Sequence, residues 1–243
     1  MIVLNSVKVL FINGSPRKYG SCSKLMFAAE KGVIDAGGTI LDRIFLYDYD
    51  IKPCIGCLCD DESICRYPCI IKDDFNKIGE KILESHAIIF VSPIYWYNVS
   101  GVLKNFIDRM TCFEHMIFIN GRSIVEGKTV GFIAVGNDAG GIQLLSNLLI
   151  TMNSMGLHIP PWAIAYSHER DVLEDDQAIR DSYNVGYIVV KASRFLNSVK
   201  EWYEPNVDLD RVRKYVLDNI VKYSDQKRER DKLFNKYKLN NYK

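Results

Sequence analysis

The sequence predicts a doubly wound α/β fold: a five-stranded parallel sheet with helices on both faces, followed by a helical C-terminal extension. Three observations lead to it. Apolar runs of strand length alternate with amphipathic helical stretches from Ser6 to Tyr166. Several of those runs, such as Ala87-Ile88-Ile89-Phe90-Val91, are apolar without interruption, as parallel strands covered on both faces are. Beyond Ser167 the alternation gives way to long charged stretches at helical spacing.

The first strand is Ser6 to Asn13, a β-branched and aromatic run ending in Gly-Ser-Pro, so a loop follows it directly. A helix is expected from about Ser21 to Ala36, ended by Gly37-Gly38, and a second strand from Thr39 to Tyr47. Asp73-Asp74-Phe75 opens a second helix with Phe75, Ile78, Ile82 and Leu83 on one face, before the third strand, Ala87 to Val91. Then come a helix around Val102 to Met110, a strand from Thr129 to Val135, a helix around Ile142 to Ser154 and a weaker strand from Ala163 to Tyr166. Two charged amphipathic stretches complete the chain, about Glu174 to Tyr203 and Asp208 to Tyr237, divided by Glu204-Pro205-Asn206. The expected organisation is one ligand-binding α/β domain over residues 1–170, with a cysteine-rich loop at 53–72, and a helical C-terminal extension over 171–243.

Composition narrows the function. With 48% hydrophobic residues, 25% charged residues and a net charge of +1, nothing points to disorder or to a nucleic-acid surface. No apolar run approaches the roughly 18 residues of a membrane span, and Met1 to Lys8 lacks a basic segment ahead of its apolar stretch. A cytoplasmic protein without a membrane partner is expected. At 243 residues the core needs no disulfide framework.

In an open parallel sheet, ligands gather beyond the carboxyl ends of the strands. The first such loop, Gly14-Ser15-Pro16-Arg17-Lys18-Tyr19-Gly20-Ser21-Cys22-Ser23, combines glycines, hydroxyls and a following helix N-terminus, which suits an anion, with Arg17 adding a charge-assisted contact. The second, Ser92-Pro93-Ile94-Tyr95-Trp96-Tyr97-Asn98, offers three consecutive aromatics for a flat ligand and an amide to read its polar atoms. The third, Gly136-Asn137-Asp138-Ala139-Gly140-Gly141, has glycines that let main chain approach a ligand plane.

Five of the seven cysteines crowd into Cys54-x2-Cys57-x-Cys59-x5-Cys65-x3-Cys69. Such a loop has thiolates enough for a [4Fe–4S] cluster or a four-thiolate zinc site; a disulfide and free thiols are the other readings. His86, His115, His158 and His168 match no ligand spacing with them and are read as structural.

Together, Asn13-Gly14-Ser15-Pro16-Arg17-Lys18, Ser92-Pro93-Ile94-Tyr95 and Leu103-Lys104-Asn105-Phe106-Ile107-Asp108-Arg109 resemble the flavodoxin-like NADPH-dependent FMN reductase family over about residues 7–165. The run Pro53-Cys54-Ile55-Gly56-Cys57 to Cys69-Ile70-Ile71-Lys72-Asp73-Asp74 resembles its iron–sulfur flavoproteins. The resemblance implies FMN with its phosphate at Ser15, Arg17, Ser21, Cys22 (through its N–H) and Ser23. The isoalloxazine then lies against Pro93, Ile94, Tyr95, Trp96, Tyr97 and Asn98, and against Asn137, Asp138, Gly140 and Gly141. It implies NAD(P)H as donor, without a protein acid or base. The relatives are expected to space their cysteines C-x2-C-x2-C with a final cysteine beyond; here the second gap is one residue short and a fifth cysteine is present. If a cluster is held, the expected ligands are Cys54, Cys57, Cys59 and Cys69, with Cys65 the alternative fourth. The expected function is an FMN-dependent oxidoreductase passing electrons from NAD(P)H to a small-molecule or protein acceptor; an electron carrier without its own substrate is the alternative. An apolar stripe interrupted by one amide, Val212, Tyr215, Val216, Asn219, Ile220 and Tyr223, leads to the further expectation of a homodimer or homotetramer in which the helices after Ser167 help cover neighbouring subunits.

Overall fold

The computed structural model describes residues 6–196, 206–221 and 224–240. Its five strands are β1 (Val7–Asn13), β2 (Gly38–Phe45), β3 (Ala87–Pro93), β4 (Thr129–Val135) and β5 (Ile164–Ser167), all parallel, in the order β2-β1-β3-β4-β5. This is the flavodoxin-like order, whose direction of winding reverses between β1 and β3.

The uninterrupted apolar runs resolve into two faces once the chain is pleated. Val7, Val9 and Phe11 of β1 join one core with Ala87, Ile89 and Val91 of β3, while Leu10 and Ile12 join the other with Ile88 and Phe90. The first core is covered by α1 (Ser21–Asp35) and α7 (Asp176–Leu196). The second is covered by α2 (Phe75–Glu84), α3 (Gly101–Arg109), α6 (Gly141–Ser154) and the short α4 (Thr111–Glu114); α4 and the equally short α5 (Met116–Asn120) are helices that the sequence reading did not anticipate. Of the expected α2 face, Phe75, Ile78 and Ile82 are buried, whereas Leu83 is exposed.

Three boundaries differ from expectation. β2 ends at Phe45 because Leu46–Asp48 tightens into a 3₁₀ turn that carries Leu46 into the core. The stretch expected as one helix from Asp208 to Tyr237 is α8 (Leu209–Ile220) and α9 (Ser224–Asn240) among the described residues. The domain boundary also moves. The chain divides into Met1–Tyr203 and Glu204–Lys243, so α7, expected in an extension beginning at 171, belongs to the first unit and packs on its core.

The reason is a backbone contact. A Cβ on Gly32 of α1 would stand 1.9 Å from Tyr183 O, and one on Gly186 of α7 would stand 1.8 Å from Ala29 O. The helices therefore cross main chain to main chain, and α7 covers α1 of its own chain. In α8, Val212, Tyr215, Val216 and Ile220 are exposed, while Tyr223 lies outside the described residues. No described helix is long and apolar enough to cross a membrane.

The crossing makes a prediction. Gly186→Ala should lower the unfolding free energy by about 1–3 kcal/mol through overpacking, read from urea denaturation. A change under about 0.5 kcal/mol, the size of an ordinary surface substitution, would contradict the close crossing.

Candidate functional site

The carboxyl ends of the strands open into a cleft of about 380 Å³, within the roughly 300–1,000 Å³ of small-molecule sites. The first loop contributes Ser15, Arg17, Ser21 and Cys22 to its wall. Its shape follows from short-range bonds. Asn13 Oδ1 accepts from Ser15 N–H (2.8 Å), and Ser15 Oγ accepts from Arg17 N–H (3.2 Å). Ser100 Oγ donates to Gly14 O (2.7 Å), so close that a Cβ on Gly14 would stand 2.7 Å from that hydroxyl.

Gly20 precedes α1 without a side-chain cap, and the first turn holds no acidic residue. The positive end of the helix therefore faces the cleft with no competing carboxylate from its own turn. Burial pushes the Cys22 thiol up to about 12, against the opposing effects of Ser15 and Arg17, so it adds no negative charge there. Ser23, expected at the anion, is instead buried, its Oγ accepting from Asn13 Nδ2 (3.3 Å).

Pro93, Ile94 and Tyr95 line the cleft from the second loop; Trp96, Tyr97 and Asn98 do not. The cause is a two-residue turn closed by Tyr95 N–H to Asn98 O (2.9 Å) and Asn98 N–H to Tyr95 O (3.1 Å), with Trp96 and Tyr97 at φ 51° and 65°. Two left-handed central residues mark a turn that usually carries Asn-Gly, so bulky aromatics here are strained. The turn holds Trp96 93% exposed, and Asn98 spends its Oδ1 on Val99 N–H (2.8 Å).

The third loop brings Asn137 to the cleft, together with Val135 and Gly136, which the sequence reading left out. Asp138 is exposed, with Oδ1 bonded to Ala139 N–H. Gly140 and Gly141 serve packing: a Cβ on Gly140 would meet Tyr97 at 2.9 Å, and one on Gly141 would meet Tyr166 at 3.0 Å.

Glu169 and Arg170, beyond β5, also line the cleft and were missed. They sit in a loop tied to α1 by Lys24 Nζ to Asp171 Oδ1 (2.8 Å) and folded by Glu169 N–H to Ser167 Oγ (3.2 Å). The signal that finds them is position alone, since they directly follow a strand.

The cysteine loop forms a second centre. Cys54, Cys57, Cys65 and Cys69 converge with Cys112 of α4 on one small cavity, which Arg109 also lines, while Cys59 is exposed and outside it. The expected set Cys54, Cys57, Cys59 and Cys69 is thus brought together except for Cys59. Among the described residues, no three Cys, His, Asp or Glu side chains stand in ready metal-binding geometry. The donor set nevertheless suits a thiolate-bound centre, because five soft sulfurs share one space with an N–H donor. Arg109 Nε donates to Cys69 Sγ (3.3 Å), and Asn76 clamps the Cys69 backbone by accepting from its N–H and donating to its carbonyl, both at 2.9 Å.

Arg109 is fully buried and forks onto Asp73, Nη1 to Oδ2 at 2.6 Å and Nη2 to Oδ1 at 3.2 Å, while Nη1 also donates to Lys52 O (3.0 Å). Burial pushes the Asp73 carboxyl up, but Arg109 and the Lys52 and Phe75 N–H groups outweigh it and hold Asp73 below the usual carboxylate value. Burial, with Cys57 and Cys54 alongside, pushes Cys65 up to about 11. Cys69 and Cys112 titrate as a pair. A hydrogen bond from Cys112, followed by the Ile71 N–H and Arg109, pulls Cys69 well below the ordinary thiol value of 9.0, and the same bond raises Cys112.

The metal-free chain should therefore carry Cys69 as thiolate at neutral pH. Its alkylation rate, followed by mass spectrometry, is expected to reach half-maximum below about pH 7. Cys112→Ala removes the leading cause of the shift and should move that midpoint upward. A wild-type midpoint near 9 would contradict the arrangement.

The profile of the NADPH-dependent FMN reductase family matches residues 7–171. An iron–sulfur flavoprotein of Archaeoglobus fulgidus is 34% identical over 53% of this chain and 54% of its own length. A Bacillus subtilis protein described as a putative NAD(P)H-dependent FMN-containing oxidoreductase is 32% identical over 71% of this chain and 93% of its own. Among solved structures, RosB with a bound 8-demethyl-8-formylriboflavin-5'-phosphate intermediate superposes with a TM-score of 0.68 at 16% identity, over 88% of each chain, a likeness of fold. The chain spans about half the length of the A. fulgidus flavoproteins it matches. With the family match covering the sheet, the cleft and the cysteine loop, the chain belongs to the NADPH-dependent FMN reductase family.

Proposed function

We propose that this protein is an FMN-dependent oxidoreductase that takes reducing equivalents from NAD(P)H and delivers them to an acceptor by way of an iron–sulfur centre in the cysteine loop. The observation that carries the reading is that both centres rest on one helix. At its start, Ser100 and Leu103 pack on Gly14 of the anion loop; at its end, Arg109 holds Cys69 and Asp73. The helix between the two supports is nine residues long, roughly 13 Å. The names of the relatives support the rest of the reading, since several are iron–sulfur flavoproteins and one is described as a putative NAD(P)H-dependent FMN-containing oxidoreductase.

The residues fit FMN. Ser15, Arg17 and the N-terminal turn of α1 would hold its phosphate, with Arg170 across the cleft as a second cation. A monophosphate suits a short cradle that lacks the Gly-x-Gly-x-x-Gly turn used for a pyrophosphate. Pro93, Ile94 and Tyr95 on one side and Gly136 and Asn137 on the other would orient the ring and exclude water from its edge. When bound, FMN supplies hydride acceptance and onward electron release, so no side chain is needed as acid or base. For the cysteine loop, the thiols and the Arg109 N–H would bind the metal centre and tune it. The exposed α8 residues Val212, Val216 and Ile220 support a homo-oligomer that covers them.

The test is anaerobic stopped-flow mixing of the flavin-loaded chain with NADPH and with NADH. Rapid bleaching of the flavin band by either, followed by re-oxidation only when an acceptor is added, is the expected result. Failure of both donors to bleach a flavin that dithionite reduces would overturn the activity and favour an electron carrier.

A further inference from the structure

On the cluster reading proposed above, the structure assigns the metal-holding thiolates to Cys54, Cys57, Cys65 and Cys69, with Cys65 standing where sequence spacing would place Cys59. Cys57–Cys59 forms one 3₁₀ turn after Gly56, whose φ of 68° reverses the chain. At three residues per turn, positions 57 and 60 share a face and positions 57 and 59 lie about 120° apart. Position 60 is Asp60, so a cysteine displaced by one residue to 59 is turned to solvent while Cys57 faces the cavity.

The fold holds Cys65 in place from outside the loop. The residue ends the next short turn, Glu62–Ile64, and is 7% exposed. His115, itself buried, places Nδ1 2.8 Å from the Cys65 carbonyl oxygen and so fixes the backbone from which the thiol points. Cys69 is fixed in the same manner by the Asn76 amide. Two of the cavity thiols are thus positioned by dedicated side chains from outside the loop, whereas the only backbone bond described for Cys59 is Cys59 N–H to Gly56 O (2.9 Å), the closure of its own turn.

Cys112 differs from the loop thiols in its setting. The cavity between the sulfurs is about 10 Å³, so a multi-iron centre requires its ligands to move outward. Cys112 is the thiol least able to do so, because it is 2% exposed on α4 beside Phe113, which packs on Phe75 and Tyr67. Cys112 accordingly serves as a hydrogen-bonding neighbour of Cys69 rather than as a ligand.

The experiment uses the full chain, purified anaerobically and reconstituted with iron and sulfide, with Co²⁺ alone as a second probe of a four-thiolate site. Iron and sulfide per chain are measured for the wild type, Cys59→Ala, Cys65→Ala and Cys112→Ala, with flavin binding as the control for folding. Maleimide labelling of the loaded wild type, read by mass spectrometry, needs no variant. Cys59→Ala and Cys112→Ala are expected to load as the wild type does, Cys65→Ala to lose the iron, and the loaded wild type to label at Cys59 while Cys54, Cys57, Cys65 and Cys69 are protected. Loss of iron in Cys59→Ala, its retention in Cys65→Ala, or protection of Cys59 on loading overturns the assignment while leaving the cluster reading intact. If Cys65→Ala fails to fold, the labelling pattern decides. A wild type that takes up neither iron and sulfide nor Co²⁺ overturns the cluster reading and the assignment together.

Discussion

The buried Arg109–Asp73 pair is the contact on which the cysteine loop and its seating against α2 and α3 depend. An ion pair with both side chains fully buried costs several kcal/mol per ion in desolvation, and it persists only where nearly every donor and acceptor is satisfied. Here the guanidinium is spent on Asp73, Lys52 O, Ile71 O and Cys69 Sγ, and its face rests on the Phe75 ring at 4.7 Å. Asp73 in turn accepts from Lys52 and Phe75 N–H. One buried cation thereby gathers the two ends of the cysteine loop, the start of α2 and the end of α3. Removing either partner would leave an uncompensated charge in the core and release the loop as well.

The cleft rests on a different economy, one of neutrality around a positive pole. The α1 N-terminus, Arg17 and Arg170 set a positive field, the Cys22 thiol stays protonated through burial, and Glu169 is the carboxylate on the wall. An anion entering this space meets donors already held by Asn13, Ser15 and Ser100 through bonds of 2.7–3.2 Å. Such preorganisation reduces what binding costs in ordering the loop.

Much of this was legible in the sequence because the informative residues are consecutive. A loop that follows a strand carries its chemistry in one stretch, so Ser15 to Cys22, Pro93 to Tyr95 and Asn137 could be found from the alternation alone. What escaped depends on contacts that leave no local trace. The α1–α7 crossing is made by Gly32 and Gly186, residues without side chains, so α7 read as a charged appendage. The Trp96-Tyr97 turn lacks the Asn-Gly signature of its type, and its residues read as a ligand wall although only Tyr95 reaches the cleft. Cys59 lies outside the cavity that Cys57 lines because of which way a short turn points, a matter of one residue in a three-residue period. Glu169 and Arg170 follow a strand of only four residues, too short to announce the loop after it.

The central claim is that the cleft recognises a flavin through its phosphate. Calorimetric titration of flavin-free protein with FMN and with riboflavin, in wild type and Arg17→Ala, tests it most directly. The account predicts one FMN per chain, riboflavin weaker by at least about tenfold, and a smaller gap in the variant, since a charge-assisted hydrogen bond contributes roughly 1.5–3 kcal/mol. Equal affinity for FMN and riboflavin in the wild type, or an unchanged gap in Arg17→Ala, would contradict it.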